Sequence, residues 1–137
     1  MLADTHKKGE IAFLKVALRA AEKGMILSRP TTEARYDAIL DDGKKLIRVQ
    51  VKYTGGDGKP SGMVRADFRK KSNTVAAQSR TYTSDEIDMM LVYVPAIDQV
   101  LMFKPAEFAG KSTVVIRLQP PKNGQKIGVI LAADHVW

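Results

Sequence analysis

Cysteine is absent from this chain, and histidine occurs only as His6 and His135. Without thiols there is no disulfide or thiolate metal site, and two histidines at opposite ends form neither a zinc cluster nor a catalytic triad, so both are expected at the surface. No stretch is apolar for long enough to span a bilayer, and the N-terminus lacks the apolar core of a signal peptide. Aromatic residues make up only 7% of the chain, which argues against a single-strand binder built on base stacking. We therefore expect a cytoplasmic protein.

Positive charge is in excess. The chain has 22 Lys and Arg against 15 Asp and Glu, which gives a formal net charge of +7 and a pI of about 9.7. Such a balance favours a polyanionic partner, with nucleic acid first and an anionic membrane surface second. With 137 residues and 45% hydrophobic content, the chain predicts one globular domain.

The most informative stretch is residues 35–53, which predicts a β-hairpin. Residues 35–40 and 45–53 alternate in polarity, and the segment Asp41-Asp42-Gly43-Lys44 between them has turn chemistry. One face of the second strand is apolar and is expected in the core. The other face carries a short polar row.

The polar row depends on the register of this hairpin. Gln50 and Lys52 share one face of the second strand. A two-residue loop at Asp42-Gly43 places Asp37 opposite Arg48 and on the face of Gln50 and Lys52. A three-residue loop turns Asp37 to the other face. The two-residue loop therefore predicts an acid, an amide and an amine on one patch.

These residue types suit metal-dependent hydrolysis of phosphodiesters. Carboxylate and amide oxygens are hard ligands for magnesium, and a lysine can orient a water or offset charge on phosphorus. At these residues the sequence resembles the PD-(D/E)XK nuclease superfamily, with Asp37 as the motif's aspartate and Gln50-Val51-Lys52 as its (D/E)-X-K. Tyr36 stands in place of the usual proline. Gln50 stands in place of the usual acid, which predicts weaker metal binding.

The resemblance implies a divalent-metal-dependent endodeoxyribonuclease that uses Mg²⁺ or Mn²⁺. Asp37, Gln50 and the Val51 carbonyl would bind the metal, Glu10 would support it directly or through water, and Lys52 would handle the nucleophile. The implied fold is an α/β, restriction-endonuclease-like core, a single nuclease-like domain over residues 1–137 in which a long N-terminal helix packs on a mixed β-sheet with a catalytic hairpin. The Holliday-junction-resolvase-like and small homing-endonuclease-like branches act as symmetric assemblies, which implies a homodimer or homotetramer on double-stranded or branched DNA.

A long helix is predicted from about Thr5 to Lys23, with Gly24 as its cap. Glu10 lies on or beside the apolar stripe, so its carboxylate either faces a cation or a metal, or lies at the stripe's edge, where the helix dipole favours it. The resemblance favours the metal, because nuclease families of this superfamily often place a glutamate on the first helix as a ligand. The predicted buried stripe is Ile11, Leu14, Ala17, Leu18 and Ala21.

A basic segment follows the hairpin. Charge clusters are usually solvated surface, but the proximity of this one to the hairpin favours contacts with phosphate. The predicted DNA-binding residues are Arg65, Arg69, Lys70, Lys71 and Arg80. Gln78 and Tyr82 have the Gln-x-x-x-Tyr spacing of some related nucleases, a match of two common residues that carries little weight.

The remaining elements are assigned from β-branched or apolar runs and turn residues. Ile87–Val94 is near-continuously apolar and predicts a central strand covered on both faces. The other predicted strands are 25–28, 63–68, 99–104, 113–118 and 126–131, with a helical turn at 105–109.

Two other functions remain open. A non-catalytic nucleic-acid-binding domain on the nuclease scaffold is favoured by Gln50, because loss of an acid is a first step toward loss of metal; the retention of Asp37, Lys52 and Glu10 speaks against it. A basic protein-interaction subunit with no role on nucleic acid is the third candidate. DNA binding that weakens with salt separates it from the other two.

Overall fold

The protein is described by a computed structural model over residues 1–70, 80–125 and 127–137. Its elements in chain order are α1 (Asp4–Glu22), β1 (Ile26–Ser28), β2 (Ala38–Asp41), β3 (Leu46–Tyr53), β4 (Met63–Asp67), β5 (Arg69–Lys70), β6 (Arg80–Thr81), β7 (Met89–Val94), β8 (Gln99–Phe103), α2 (Pro105–Phe108) and β9 (Thr113–Arg117). Short 3₁₀ turns lie at Pro95–Ile97 and Ala132–Asp134. No helix in the described ranges is long and apolar enough to cross a membrane.

A five-stranded mixed sheet in the order β1-β2-β3-β7-β8 carries α1 on one face. Strands β3 and β7 are parallel, whereas the other neighbouring pairs are antiparallel. Residues 90–94 of β7 are all buried, which confirms the predicted central strand covered on both faces. Strands β4 and β9 form a separate antiparallel pair, and so do β5 and β6.

The sheet separates two hydrophobic clusters. The cluster under α1 includes Val16, Val49 and Leu91. The cluster on the opposite face lies between the sheet and the β4–β9 pair, and it includes Phe68 and Phe103. Residues 50 and 52 of β3 pair with residues 90 and 92 of β7, so their side chains point toward this second cluster. The two β7 side chains are buried in it, whereas the two β3 side chains are not. The polar row of β3 thus lies at the edge of a core.

Helix α1 forms where it is predicted, but the predicted buried stripe is wrong. Ala12, Val16 and Ala20 are buried against the sheet, whereas Leu14 and Leu18 remain 57% and 58% exposed. The small side chains at intervals of four residues make a flat face that lets the helix approach the sheet closely. Because apolar residues occur on both sides of this helix, the 3.6-residue period alone selects the wrong side.

The hairpin of β2 and β3 forms, but with a four-residue loop over residues 42–45 in place of the predicted two-residue loop. The carboxylate of Asp42 accepts hydrogen bonds from the backbone N–H groups of Lys44 and Lys45, at 2.8 and 2.9 Å. Gly43 supplies the positive φ of 87° that this loop requires. The aspartate therefore caps a wider turn than the dipeptide Asp-Gly suggests.

The wider loop moves the register by two residues. Arg48 consequently lies opposite Ile39, and Asp37, just before the paired residues of β2, donates its N–H to the Val49 carbonyl at 3.0 Å. Arg48 instead forms an ion pair with Asp88, with 2.9 Å between Nη2 and Oδ1. Because side chains alternate with a period of two, the shift leaves Asp37 on the predicted face.

Two predictions near the C-terminus are wrong. The strand predicted over residues 126–131 does not form in its described part, residues 127–131, where Gly128 has a φ of 74° and Leu131 makes only an isolated bridge. His135 is not a surface residue. Its ring stacks on Phe103 with 4.6 Å between ring centroids, and its Nε2 lies 2.7 Å from a carboxylate oxygen of Glu107. The terminal segment is therefore tied to the core by an aromatic contact and a polar contact.

Candidate active site

An open pocket of about 420 Å³ lies where the polar row of β3 meets the start of β2. The segment between β1 and β2 forms one wall, and residues from β5 and from the segment after β6 form the other. The pocket brings together three of the four predicted catalytic residues: Asp37, Gln50 and Lys52. The predicted group of an acid, an amide and an amine therefore lies together at the edge of the hydrophobic cluster between the sheet and the β4–β9 pair.

Asp37 is hydrogen-bonded to strand β3 through both its backbone N–H and its carboxylate. Its Oδ2 accepts a hydrogen bond from the Val51 N–H at 3.0 Å. Surrounding protein atoms displace water and raise the pKa of the Asp37 carboxyl, although the hydrogen bond from Val51 and the charge of Lys52 oppose the rise. The side chain still opens into the pocket, and a carboxylate has about four acceptor sites, so it can bind a cation as well.

Gln50 and Lys52 line the pocket beside Asp37. The side chain of Gln50 lies close enough to the Asp37 carboxyl to lower its pKa, and its amide oxygen is the atom able to bind a cation. Lys52 donates from Nζ to the carbonyl of Arg69 at 2.7 Å. Strand β5 therefore fixes the amine beside the pocket.

Tyr82 is a pocket residue to which the sequence assigns little weight. It is 2% exposed, and its ring centroid lies 5.4 Å from Nζ of Lys52. Burial, with the nearby charge of Asp37, raises the pKa of the Tyr82 hydroxyl, which keeps it protonated near neutrality. The sequence signals for Tyr82 are its spacing to Gln78, a residue that lies outside the described ranges, and its place ahead of Asp88 and the apolar strand, a pattern of related nucleases.

Glu10, the fourth predicted catalytic residue, is paired with an arginine. Its Oε2 lies 3.0 Å from Nη2 of Arg29, and the Arg29 guanidinium carbon lies 3.5 Å from the centroid of the Phe13 ring. Glu10 lines a smaller pocket of about 320 Å³ that Arg29, Asp37 and Val51 also line. Arg29 was not identified from the sequence, because nothing in the residues after β1 indicates that this side chain turns toward the helix.

The oxygen donors fit a divalent cation that keeps most of its water. No group of three or more Asp, Glu or His side chains able to hold a metal occurs within residues 1–70, 80–125 and 127–137. Among the predicted ligands, Asp37, the amide oxygen of Gln50 and the Val51 carbonyl remain as oxygen donors. Mg²⁺ and Mn²⁺ accept such oxygen ligands and are often held by only one or two carboxylates together with water and substrate phosphate. One carboxylate predicts weak binding in the absence of DNA.

Two of the predicted DNA-binding arginines are already paired with acids. Nε and Nη2 of Arg69 lie 3.0 and 3.2 Å from the carboxylate oxygens of Asp67. Nη1 and Nη2 of Arg80 each lie 2.7 Å from an oxygen of Glu86. These bidentate pairs reduce the positive charge that both arginines offer to a phosphate.

The other predicted DNA-binding residues fall in different places. Lys70 lines the pocket, Arg65 is exposed on β4, and Lys71 lies outside the described residues. Arg35, which the sequence did not single out, also lines the pocket, and its side chain forms no ion pair with any residue in the described ranges. Lys70 and Arg35 are thus two cations of the pocket wall, together with Arg29, that a ligand can reach.

The pair of Arg80 and Glu86 predicts a specific dependence of stability on pH. The bonds to Arg80 lower the pKa of Glu86 from 4.5 to about 2. A lowered folded-state pKa stabilises the fold above the unfolded value, so this contribution is complete above pH 4.5 and is lost as pH falls toward about 2. We expect the free energy of unfolding of Glu86→Gln to fall less steeply with acid across this window, as measured by urea unfolding. Glu22→Gln, an exposed site on α1, serves as control, and equal slopes for the two variants would contradict the prediction.

Comparison with known proteins finds a matching family model and a similar solved structure. The model of the PD-(D/E)XK endonuclease family matches residues 3–136. The solved structure of a bacterial homing endonuclease, I-Ssp6803I, is similar with a TM-score of 0.73 and 24% sequence identity, over 90% of this chain and 84% of that chain. This similarity confirms the predicted α/β, restriction-endonuclease-like fold with an N-terminal helix on a mixed sheet. No curated protein matches the chain.

Proposed function

Because the chain belongs to the PD-(D/E)XK endonuclease family, we propose that it is a divalent-metal-dependent endodeoxyribonuclease with one nuclease-like domain over residues 1–137. The observation that carries the proposal is the common pocket of Asp37, Gln50 and Lys52, in which backbone bonds hold the acid and the amine. Positioning of this kind is what phosphodiester hydrolysis requires of a protein.

The roles of the residues follow from their atoms. Asp37, the amide oxygen of Gln50 and the Val51 carbonyl would hold Mg²⁺ or Mn²⁺, which supplies Lewis-acid stabilisation of charge on the phosphate when bound. Lys52 would orient the attacking water and offset the negative charge that develops on the phosphate oxygens. Tyr82, protonated and buried beside Lys52, would restrict the movement of the amine.

The substrate we propose is double-stranded or branched DNA. The pocket is open on one side, and Lys70 and Arg35 at its walls are suited to contacts with backbone phosphates on either side of a cut. Phosphate contacts position DNA without reading its sequence, so they serve a site-specific enzyme and a junction-resolving enzyme equally.

We also propose that the protein acts as a homodimer or homotetramer. Leu14 and Leu18 form an exposed apolar surface on the outer side of α1, and a second copy of α1 packed antiparallel across them would cover it. That arrangement brings Lys8 near Glu22 of the partner subunit, so the flanking charges are complementary. Two copies would supply the two sites that a double-strand cut or a paired resolution needs.

The test is cleavage of supercoiled plasmid, linear duplex and a four-way junction by the purified protein, with Mg²⁺, with Mn²⁺ and with a chelator. We expect cleavage with either metal and none with the chelator. Appearance of linear plasmid early in the reaction supports paired sites, and the preferred substrate separates the resolving activity from the site-specific one. Cleavage that persists in the chelator would contradict the proposed metal dependence.

A second candidate is a catalytically inactive DNA-binding domain on the same scaffold. It is favoured by Gln50 in place of an acid and by the pairing of Glu10 with Arg29, which together leave Asp37 as the one carboxylate at the pocket among the predicted ligands. Binding of DNA that weakens with salt, with no cleavage of any substrate in either metal, would favour this candidate. Absence of binding even at low salt would exclude both candidates and leave the protein-interaction subunit.

A further inference from the structure

Arg29 connects helix α1 with the candidate active site. The residue follows β1 directly, and it lines both the large pocket, with Asp37, and the smaller pocket, with Glu10. Its guanidinium lies over the face of Phe13 at 3.5 Å and donates to Glu10 at 3.0 Å. Two contacts on one planar group restrict both its position and its tilt.

The position of Arg29 changes what Glu10 can do. A glutamate that binds a metal must offer its carboxylate to the cation, whereas here a guanidinium is bound to one of its oxygens. The charge of Arg29 also reaches Asp37, where it lowers the pKa of that carboxyl against the effect of burial. A metal placed between Glu10 and Asp37 would therefore meet a second positive charge at short range, which is unfavourable.

Arg29 retains donors that could bind a substrate. A guanidinium has five N–H groups, and the contact to Glu10 uses Nη2. The side chain is 49% exposed, so it is accessible from the pocket. The fork of a guanidinium matches the oxygens of a phosphate, and an arginine is always charged at working pH.

On the basis of the proposed nuclease function, we propose that Arg29 binds a phosphate of the DNA strand in the active site, and that Glu10 positions Arg29 and is not a metal ligand. Glu10 and Phe13 hold the guanidinium beside Asp37 before DNA arrives. The site would then use Arg29 as a further cation of the protein, beside Lys52 and the metal. This assignment differs from the role that the resemblance implies for Glu10.

Two measurements that need no cleavage test the inference. The first is Mn²⁺ binding to the DNA-free protein, measured by electron paramagnetic resonance or calorimetry. We expect Glu10→Gln to bind Mn²⁺ as the native protein does, Asp37→Asn to lose binding, and Arg29→Gln to bind it as well or more tightly because a neighbouring positive charge is removed. A loss in Glu10→Gln comparable to that in Asp37→Asn would make Glu10 a ligand and overturn the inference.

The second measurement is DNA affinity in the presence of chelator as a function of salt. Arg29→Gln should weaken binding severalfold and reduce the slope of log affinity against log salt by about one, as expected for loss of one phosphate contact. Lys122→Gln, an exposed site on the loop beside a separate pocket, is the matched control. Affinity and slope equal to those of the control would overturn the inference.

Glu10→Gln and Phe13→Leu test the positioning role, since each keeps Arg29 but weakens one of the two contacts that hold its guanidinium. We expect DNA affinity between those of the native and Arg29→Gln proteins, with unchanged Mn²⁺ binding. If the native protein proves not to cleave DNA, the DNA-binding result for Arg29 still stands or falls on its own. Failure of the nuclease proposal and failure of this inference are therefore distinguishable.

Discussion

We expect the Asp37→Asn protein to cleave DNA more slowly by a factor on the order of 10³. The substituted amide would keep the shape of the side chain and could still accept the bond from the Val51 N–H, so the hairpin should remain intact. What the substitution removes is the negative charge on which the proposed metal site depends. DNA binding in chelator should be unchanged or slightly tighter, because one negative charge near the phosphate is gone.

The measurement is a single-turnover cleavage rate at saturating Mg²⁺ on the preferred DNA substrate. Asp41→Asn is the matched control, since Asp41 lies at the far end of β2 on the same face of the sheet. Its carboxylate accepts a hydrogen bond from the Gly43 N–H at 2.8 Å, as that of Asp37 does from Val51. That variant should cleave DNA at the native rate. A rate for Asp37→Asn within a few-fold of the control would exclude Asp37 as the metal-binding carboxylate.

The second large effect is expected for Lys52→Met. Methionine keeps the length and much of the apolar stem but removes the amine, so we expect cleavage to slow by about 10²- to 10⁴-fold, the range for loss of a proton-transfer group or a charge-stabilising group. The bond from Nζ to the Arg69 carbonyl is also lost, but that carbonyl lies beside an open pocket where water can replace the donor. Mn²⁺ binding should persist.

Persistence of metal binding distinguishes this variant from Asp37→Asn. Lys45→Met, in the loop of the same hairpin and outside the pocket lining, controls for the loss of one positive charge from the protein as a whole. Thermal unfolding of both variants establishes that the fold is retained. Cleavage by Lys52→Met at the rate of the control would refute a catalytic role for the amine.

The polar face of the hairpin was predictable because it depends only on whether the register shifts by an even or an odd number of residues. The loop has four residues where two were predicted, yet Asp37, Gln50 and Lys52 remain on one face because an even shift preserves the side of the sheet. The pairing of individual residues across the hairpin was not predictable in the same way. A turn of Asp, Asp, Gly and Lys allows more than one loop length, and the two bonds to the Asp42 carboxylate select the longer one.

The buried side of α1 could not be predicted from its period. Leucines mark one side of the helix, and alanines with one valine mark the other, so two apolar stripes compete. The sheet selects the smaller side chains because strands β3 and β7 approach the helix closely. The same choice of side turns Glu10 toward Arg29, a contact between residues 19 positions apart that no local pattern indicates.

The sequence alone determined the elements and the local chemistry: a long helix, a hairpin with an acid and a Gln-x-Lys row on one face, and an apolar central strand. These features follow from periods of 3.6 and two residues and from turn residues, which act over short distances along the chain. Only the tertiary structure decided that Arg29 forms an ion pair with Glu10 and that Tyr82 is buried beside Lys52. It also decided that Asp67 and Glu86 form ion pairs with two of the predicted DNA-binding arginines. Such pairings depend on how separate segments pack together, and many packings satisfy the same local pattern.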